Sequence, residues 1–249
     1  MSLAVLGATS VIGIEVAKVF AQAGHDLLLV SRDTNTRDLQ TIKKSHTTTA
    51  HLLDANISSV GNIEIIAEKI IESFDEDPYV LISVGALSGA SEAGSPIADL
   101  LEVIDVNFRH IAAVLTLISA EFEQRKRGCI IVLTSVAGDR GRQSNYIYGS
   151  AKAGISTFAQ GLRNRLFHMG VHVLTVKLGY VDTPMFRKAL GENSKRIPRF
   201  LVGDRKKVAN SIYGAAIGRR NVLYLGRIWW LIMLVIRHLP ESVFKRMHL

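Results

Sequence analysis

The sequence has almost none of the residues that build a disulfide-linked or metal-linked scaffold. Its single cysteine, Cys129, excludes an intrachain disulfide and suits a reducing compartment. Cys129 lies in the apolar run 129–133, where a small buried side chain is far more common than a nucleophile. The eight histidines show no metal-ligand spacing. We therefore expect no metal site.

The sequence also lacks internal repeats and a low-complexity linker. Residues 1–7 carry no basic region and no cleavage site, so they predict a strand rather than a signal peptide. Of the 249 residues, 48% are hydrophobic and 21% are charged, which excludes a disordered chain. This length fits one domain, and we assign residues 1–249 to a single one.

Short β-rich apolar runs alternate along the chain with longer runs of helical period. The strand-like runs are continuously apolar, which predicts a parallel sheet that is covered by helices on both faces. Two α/β architectures have this length, an eight-fold barrel and an open doubly wound sheet. Strands are predicted at 3–6, 27–30, 52–53, 79–83, 130–134, 171–176 and 222–225, and helices at 11–23, 60–74, 100–127 and 145–169.

The first loop favours the doubly wound sheet, because it has the features of a phosphate-binding turn. Gly7 directly follows the first strand, and Gly13 lies at the start of the first helix. The first glycine allows a tight turn, and the second lets backbone amides approach a pyrophosphate. The spacing is not that of the GxGxxG fingerprint, so an ordinary strand–helix turn stays open as the alternative.

The second strand ends in Ser31 and Arg32. In doubly wound nucleotide folds an acid at this point binds the ribose 2′-hydroxyl, whereas Ser and Arg can hold a 2′-phosphate. Asp33 lies one position late for the acid role. The pair favours NADP(H) as the cofactor, with NAD(H) left open.

Ser135, Tyr148 and Lys152 form a candidate catalytic group. Tyr148 and Lys152 are four residues apart, so one helix face carries both. We expect the ammonium to favour the phenolate and to lower the tyrosine pKa from about 10. Such a tyrosine can protonate a carbonyl oxygen that Ser135 also hydrogen-bonds, while a nicotinamide delivers hydride. The alternative is that Tyr148 only packs and Lys152 is a solvated charge.

Five features, in this order and spacing, resemble the short-chain dehydrogenase/reductases over roughly residues 1–225: the loop 7–13, Asn107, Ser135, Tyr148 and Lys152. The resemblance implies a Rossmann-type α/β/α fold of three layers around about seven strands. It implies that Tyr148 is the acid/base and that Ser135 anchors the carbonyl. Lys152 would tune Tyr148 and bind the nicotinamide ribose, and Asn107 would hold a proton-relay water on a kinked helix.

The same resemblance implies a set of cofactor-binding positions, in which Asp54 fits the adenine contact. Three segments depart from the family pattern: Val11 replaces a glycine, 82–85 replaces Asn-Asn-Ala-Gly, and Leu178 replaces the proline of a Pro-Gly pair. None of them touches the four catalytic candidates. The implied cofactor-binding residues are Gly7, Thr9, Ser10, Ile12, Gly13, Ser31, Arg32, Asp54, Gly85, Tyr148, Lys152, Gly179, Val181 and Thr183.

Positive charge is concentrated in the last quarter of the chain. Residues 1–184 hold 16 Lys/Arg against 19 Asp/Glu, a net of −3, whereas residues 185–249 hold 14 against 3, a net of +11. This asymmetry indicates an anionic partner. The basic residues lack a nucleic-acid motif and interleaved aromatics, so we expect no nucleic acid. Segment 183–203 follows the sixth strand, and we expect its five Lys/Arg to form a substrate lid that clamps a phosphate.

The run 228–236 is uninterruptedly apolar, contains Trp229 and Trp230, and is flanked by arginines. As a helix it would span about 14 Å, roughly half of the ~30 Å of a bilayer core. Paired tryptophans and terminal cations suit the headgroup interface. We therefore expect residues 226–249 to form an apolar, basic helical extension on an anionic membrane surface, with the protein peripheral on the cytoplasmic face. A core or dimer-forming helix is the alternative.

Two stretches, 145–154 and 237–245, are similar to the decaprenylphosphoryl-2-keto-ribose reductase branch of the family. This resemblance implies reduction of a keto-sugar on a polyprenyl phosphate, after a flavoprotein oxidase has begun the epimerisation. The branch is associated with NADH, whereas Ser31 and Arg32 favour NADPH. By analogy with the family we expect a homo-oligomer. The alternatives are a reductase of a free steroid-type or acyl-type ketone with a dimerising C-terminal helix, and a non-catalytic NADP(H)-binding sensor.

Overall fold

A seven-stranded parallel sheet organises the protein. The computed structural model describes residues 2–44, 48–74, 77–87 and 96–247. The strands of this sheet are β1 (Ser2–Leu6), β2 (Asp26–Ser31), β3 (Ala50–Asp54), β4 (Pro78–Ile82), β5 (Cys129–Ser135), β6 (His172–Leu178) and β9 (Val222–Leu225). A separate parallel pair consists of β7 (Tyr180–Val181) and β8 (Val202–Gly203).

Helices cover both faces of the sheet and form the rim of its carboxyl edge. They are α1 (Val11–Gln22), α2 (Arg37–Lys43), α3 (Val60–Glu72), α4 (Ile97–Ile104), α5 (His110–Arg125), α6 (Tyr146–Leu166), α7 (Pro184–Leu190), α8 (Arg205–Ile217), α9 (Arg227–His238) and α10 (Glu241–Phe244). The predicted three-layer fold is thus confirmed.

Alternation of side chains along β1 shows how the sequence produces two cores. Successive residues of a strand point to opposite faces of the sheet. Leu3 and Val5 enter the core beneath α1 and α8, whereas Ala4 and Leu6 enter the core beneath α3, α5 and α6. The strand is continuously apolar because both faces are buried.

The strand order is β3-β2-β1-β4-β5-β6-β9, and every neighbouring pair is parallel. This open order excludes the eight-fold barrel. The chain winds outward from β1 to β3 and then crosses back to place β4 on the other side of β1. Ligands of open α/β sheets bind where the winding reverses, at the carboxyl ends of the strands. Here that point lies between β1 and β4.

The seven predicted strands are confirmed to within two residues at each end. The predicted helix 100–127 is interrupted, since a π-helical turn at Asp105–Arg109 separates α4 from α5. By length and composition Ile97–Arg125 could pass for a membrane span, but half of its most apolar stretch is buried inside the fold. Five further elements were not predicted from the sequence: α2, α7, α8, β7 and β8. The buried face of α8 consists largely of alanines, which give a weak hydrophobic period.

Candidate active site

A cleft of about 380 Å³ opens at the carboxyl ends of β1, β2, β4 and β5. It therefore lies at the switch point that the topology identifies. Ten of the predicted cofactor-binding or catalytic residues line it: Gly7, Thr9, Ser10, Ile12, Ser31, Arg32, Gly85, Tyr148, Lys152 and Thr183.

The loop between β1 and α1 brings a helix N-terminus to the cleft. Gly7 has φ +87°, a conformation that L side chains rarely adopt, and a Cβ there would lie 2.9 Å from the backbone of Ser83. Ser10 caps α1, because its Oγ accepts a hydrogen bond from the Gly13 N–H at 2.8 Å. Val11 and Ile12 line the cleft wall beside this cap. The start of α1 faces the cleft, which suits a pyrophosphate, so the residues present fit a dinucleotide.

At the end of β2 the cleft wall is cationic. Ser31 is buried, and its Oγ donates a hydrogen bond to Thr9 Oγ1 at 3.1 Å. Arg32 is exposed and lines the cleft. Asp33 does not line it, and its Oδ1 accepts a hydrogen bond from the Asn35 N–H at 2.9 Å. This end of the cleft therefore presents a guanidinium and no carboxylate among the described residues.

Asp54, the implied adenine contact, is engaged elsewhere. Its Oδ1 accepts the Thr34 N–H and its Oδ2 accepts the Thr34 hydroxyl, each at 2.9 Å. Asp54 does not line the cleft, although Ala55 and Asn56 do. Its carboxylate thus holds the loop after β2 in place, a role that the sequence analysis did not predict.

Two further implied cofactor contacts lie away from the cleft wall. Val181 is buried in the core beneath α1 and α8. A Cβ on Gly179 would lie 2.2 Å from Nε1 of Trp229, so this glycine makes room for an indole of α9. The structure brings neither residue to the cavity.

The structure brings Ser135, Tyr148 and Lys152 together. Ser135 ends β5 and hydrogen-bonds Tyr148, which lies in the first turn of α6 and lines the cleft. Lys152 lies one turn later, 4% exposed, with its Nζ 5.7 Å from the centroid of the Tyr148 ring. Its Nζ donates a hydrogen bond to the Val84 carbonyl at 3.5 Å. Tyr148 and Lys152 thus bring a proton donor and a buried amine to the cleft, and Ser135 adds a second hydroxyl bonded to the first.

The expected lowering of the Tyr148 pKa is wrong for this structure. Burial raises the pKa of Tyr148 to about 12, because it removes solvent from the phenolate, and only the hydrogen bond with Ser135 opposes this effect. Burial also lowers the pKa of Lys152 to about 8. The phenol is consequently protonated at neutral pH, which is the form that a proton donor requires.

Asn107 lies fully buried in the π-helical turn, as the kinked helix of the resemblance implied. Its Nδ2 donates to the carbonyls of Ala86, at 2.7 Å, and Val103, at 2.8 Å, and its Oδ1 accepts the Ala86 N–H at 3.3 Å. A Cβ on Gly85 would lie 3.3 Å from that Oδ1. Asn107 therefore fixes the segment after β4 that forms the cleft wall beside Lys152.

Two further residues, which no sequence pattern singled out, also line the cleft. Glu102 of α4 is the one carboxylate among the described lining residues, and it lies one turn before Val106, which also lines the cleft. Met185 of α7 is 40% exposed and also lines the cleft, with its Cε 3.8 Å from the point where a Cβ of Gly85 would be. An isolated Glu on an apolar helix gives no motif, so only the fold reveals its position.

A family model described as short chain dehydrogenase matches residues 2–194. The chain belongs to the short-chain dehydrogenase/reductase family. It is an NAD(P)-dependent oxidoreductase that interconverts alcohol and carbonyl groups. The Rossmann-type fold that the resemblance implied is the fold of this family.

Members of this short-chain dehydrogenase/reductase family match the chain over most of its length. An uncharacterised oxidoreductase of Staphylococcus epidermidis is 32% identical over 181 residues, which is 73% of this chain and 78% of the relative. An uncharacterised oxidoreductase of Streptomyces coelicolor is 30% identical over 255 residues, covering 99% and 95%. A solved variant of actinorhodin polyketide ketoreductase with NADPH has a TM-score of 0.77 at 22% identity, covering 92% and 97%. This last likeness shows the shared fold.

Proposed function

We propose that this short-chain reductase uses NADPH to reduce the ketone of a sugar carried on a polyprenyl phosphate. The observation that carries the proposal is the Tyr148 hydroxyl, hydrogen-bonded to Ser135 at the cleft wall with the Lys152 amine buried beside it.

The chain's residues would handle the proton and the charge of the carbonyl oxygen. A bound nicotinamide supplies the hydride that adds to the carbonyl carbon. Tyr148 gives its proton to the carbonyl oxygen, and Ser135 hydrogen-bonds the same oxygen to orient it. The Lys152 ammonium stabilises the phenolate that remains on Tyr148. Oxygen gains one proton and carbon gains one hydride, so the ketone becomes an alcohol.

The preference for NADPH rests on Arg32. Its guanidinium lines the cleft, is exposed and has no carboxylate partner among the described residues, so it is available to a 2′-phosphate. The Asp33 carboxylate accepts a hydrogen bond from Asn35, and the Asp54 carboxylate accepts two from Thr34. Neither carboxylate therefore competes with the 2′-phosphate for Arg32. The similar ketoreductase structure contains NADPH, which supports the same choice.

A sugar substrate is supported by Glu102. A carboxylate only accepts hydrogen bonds when ionised, and the hydroxyl groups of a sugar are donors that it can bind. No hydrogen bond or ion pair within the described ranges engages the Glu102 side chain, which lines the same cleft as Tyr148. A keto-sugar would bring its ketone to Tyr148 and its hydroxyls to Glu102.

A phosphate carrier is supported by the charge of the segment that follows the cleft. Two of its five cations form ion pairs, Arg187 with Asp182 and Lys195 with Glu192. These two cations are therefore less available to a phosphate than the sequence predicted. Lys188, Arg196 and Arg199 are exposed and have no carboxylate partner in the described part of the chain. Thr183, Pro184 and Met185 of the same segment line the cleft. Lys188 follows Met185 by 3 residues, and Arg196 and Arg199 follow it by 11 and 14.

The similarity of 145–154 and 237–245 to the decaprenylphosphoryl-2-keto-ribose reductases supports the polyprenyl carrier. The ketone must then be produced by oxidation of the corresponding alcohol. A flavoprotein oxidase is the class of enzyme that we propose for this preceding step.

The test is a comparison of initial rates of NADPH oxidation on three ketones. They are a keto-pentose on a short prenyl phosphate, the same keto-pentose without phosphate, and an apolar ketone of the steroid or acyl type. We expect kcat/KM to be at least about tenfold higher for the phosphate-carried sugar, because one charge-assisted contact is worth about 1.5–3 kcal/mol. Equal or better turnover of the apolar ketone would favour the free-ketone reductase. NADPH binding without consumption on any ketone would favour the sensor.

A further inference from the structure

The outer face of α9 is apolar and uncovered. Ile228, Trp230, Leu231, Leu234 and Val235 are between 36% and 61% exposed. At about 100° per residue they occupy one contiguous side of the helix. A helix that is apolar all round is normally buried in a core or in a membrane. The outer face of α9 therefore needs a partner.

The inner face of α9 is anchored to the fold. Trp229 is 6% exposed and Met233 is fully buried. The Trp229 indole N–H donates to the Leu201 carbonyl at 3.0 Å, and the Trp229 ring packs edge-on against Tyr180. Because these contacts hold the helix in one orientation, its outer face is a fixed part of the protein surface.

Arg140 fastens the far end of α9. Its guanidinium donates to the carbonyls of Ile236, at 2.5 Å, and Leu239, at 2.6 Å, and pairs with Glu241 at 2.8 Å. It also lies 3.8 Å from the centroid of the Phe244 ring. Arg140 belongs to the loop between Ser135 and Tyr148, so α9 and the catalytic wall are joined by one side chain.

We propose that the outer face of α9 docks on a lipid bilayer containing anionic phospholipid. The helix has twelve residues and is about 18 Å long, too short to span a core of about 30 Å. It would lie in the headgroup region with its apolar side inserted. Arg237, Lys245 and Arg246 are exposed around it and supply charge complementary to anionic headgroups.

Charge favours the lipid over a second copy of the chain. In a two-fold symmetric dimer the same patch of each copy meets itself, so the cations around α9 would face one another. Between residues 227 and 247 the one acidic residue is Glu241, and Arg140 already pairs with it. An anionic bilayer neutralises these cations, whereas a copy of the chain brings more of them.

The docked orientation would place the cleft beside the bilayer, and this part of the inference rests on the proposed function. Leu178 lines the cleft, and the next residue, Gly179, packs against Trp229 of α9. One strand end thus separates the reacting groups from the docking helix. A substrate with its sugar at the headgroup level and its tail in the bilayer could enter without leaving the membrane.

The experiment is flotation of the full chain with phosphatidylcholine vesicles, with and without phosphatidylglycerol. We expect the chain to float only with the anionic vesicles and to be released by high salt. Leu231→Asp with Leu234→Asp should lower the partition coefficient by at least about tenfold. Phe167→Asp is the control, because Phe167 is 71% exposed just after α6 and outside α9. This variant should float as the wild type does. A second pair, Lys245→Gln with Arg246→Gln, weakens binding without placing a charge on the helix.

Several results would overturn the inference. The inference fails if the wild-type chain does not float with anionic vesicles. It also fails if the Leu231→Asp with Leu234→Asp variant floats to the same extent as the wild type. A dimer in vesicle-free buffer that Leu231→Asp with Leu234→Asp converts to a monomer would assign the face to a second copy. Reduction of a water-soluble keto-sugar, measured without vesicles in every variant, shows that each is folded and tests the proposed function separately.

Discussion

The Trp229 indole fills the space that a side chain at residue 179 would need, since its Nε1 lies 2.2 Å from the point where a Cβ of Gly179 would be. The indole is held there by its hydrogen bond to the Leu201 carbonyl. Gly179 lies directly after the cleft-lining Leu178. The contact therefore joins the C-terminal helix to the strand end that bears the active site.

Gly179→Ala should displace Trp229 and loosen α9. We expect the free energy of unfolding to fall by about 1–3 kcal/mol, the usual cost of an overpacked contact, and the tryptophan emission to shift to the red as the indole meets water. Chemical denaturation and fluorescence measure both effects. Gly214→Ala is the control, because a Cβ there meets nothing within 4 Å. An unchanged emission spectrum in Gly179→Ala would show that Trp229 is not packed as described.

Arg32→Ala should weaken the binding of NADPH without weakening the binding of NADH. A lost charge-assisted contact with the 2′-phosphate corresponds to a rise in the NADPH Kd of about 10–100-fold, measured by titration of the cofactor fluorescence. Arg37→Ala is a suitable control, because Arg37 is exposed on α2 and does not line the cleft. If Arg32→Ala changed neither Kd, or changed both equally, the assignment of the 2′-phosphate would fail.

Glu102→Gln should raise the KM for hydroxylated ketones by about tenfold, since the amide keeps the shape but loses the charge that strengthens its hydrogen bonds. The KM for a ketone of similar size without hydroxyls should stay the same. Asp99→Asn, on the same helix but away from the cleft lining, serves as the control. A uniform rise for both ketones would indicate a merely structural effect.

The rate of reduction should fall above pH 8. Lys152, with its pKa lowered to about 8 by burial, loses its positive charge as the pH rises through that value, whereas Tyr148, with a pKa raised to about 12, keeps its proton. We expect kcat/KM to be level below pH 8 and then to decrease by about tenfold per pH unit. In Lys152→Met the remaining activity should lack this decrease, while Lys18→Met should retain it. Persistence of the decrease in Lys152→Met would assign it to another group.

The sequence was sufficient for the sheet and for the polar groups at its carboxyl edge. Continuous apolar runs located the strands. Local spacing was enough to predict Gly7, Ser135, Tyr148 and Lys152, because residues at the ends of parallel strands, or one helix turn apart, lie close together in the fold. The inferred lowering of the Tyr148 pKa failed, because burial is a property of the packed fold and outweighs the hydrogen bond with Ser135 that favours the phenolate.

Other features depend on contacts between distant segments. Asp54 meets Thr34 twenty residues away, and Arg140 meets Ile236 ninety-six residues away. The position of Gly179 in the sequence suggested a cofactor contact, whereas in the structure this glycine makes room for the Trp229 indole. Glu102 carries no motif at all. Such pairings follow from topology, and no local pattern of residues encodes them.

The most direct test of the account is ketone reduction by Tyr148→Phe, measured beside NADPH binding. Removal of the phenolic proton donor should lower kcat by about 10²–10⁴-fold and leave the NADPH Kd close to that of the wild type. Tyr146→Phe, two residues upstream and 47% exposed, should leave both quantities unchanged. Turnover by Tyr148→Phe at the wild-type rate would contradict the assignment of Tyr148 as the proton donor.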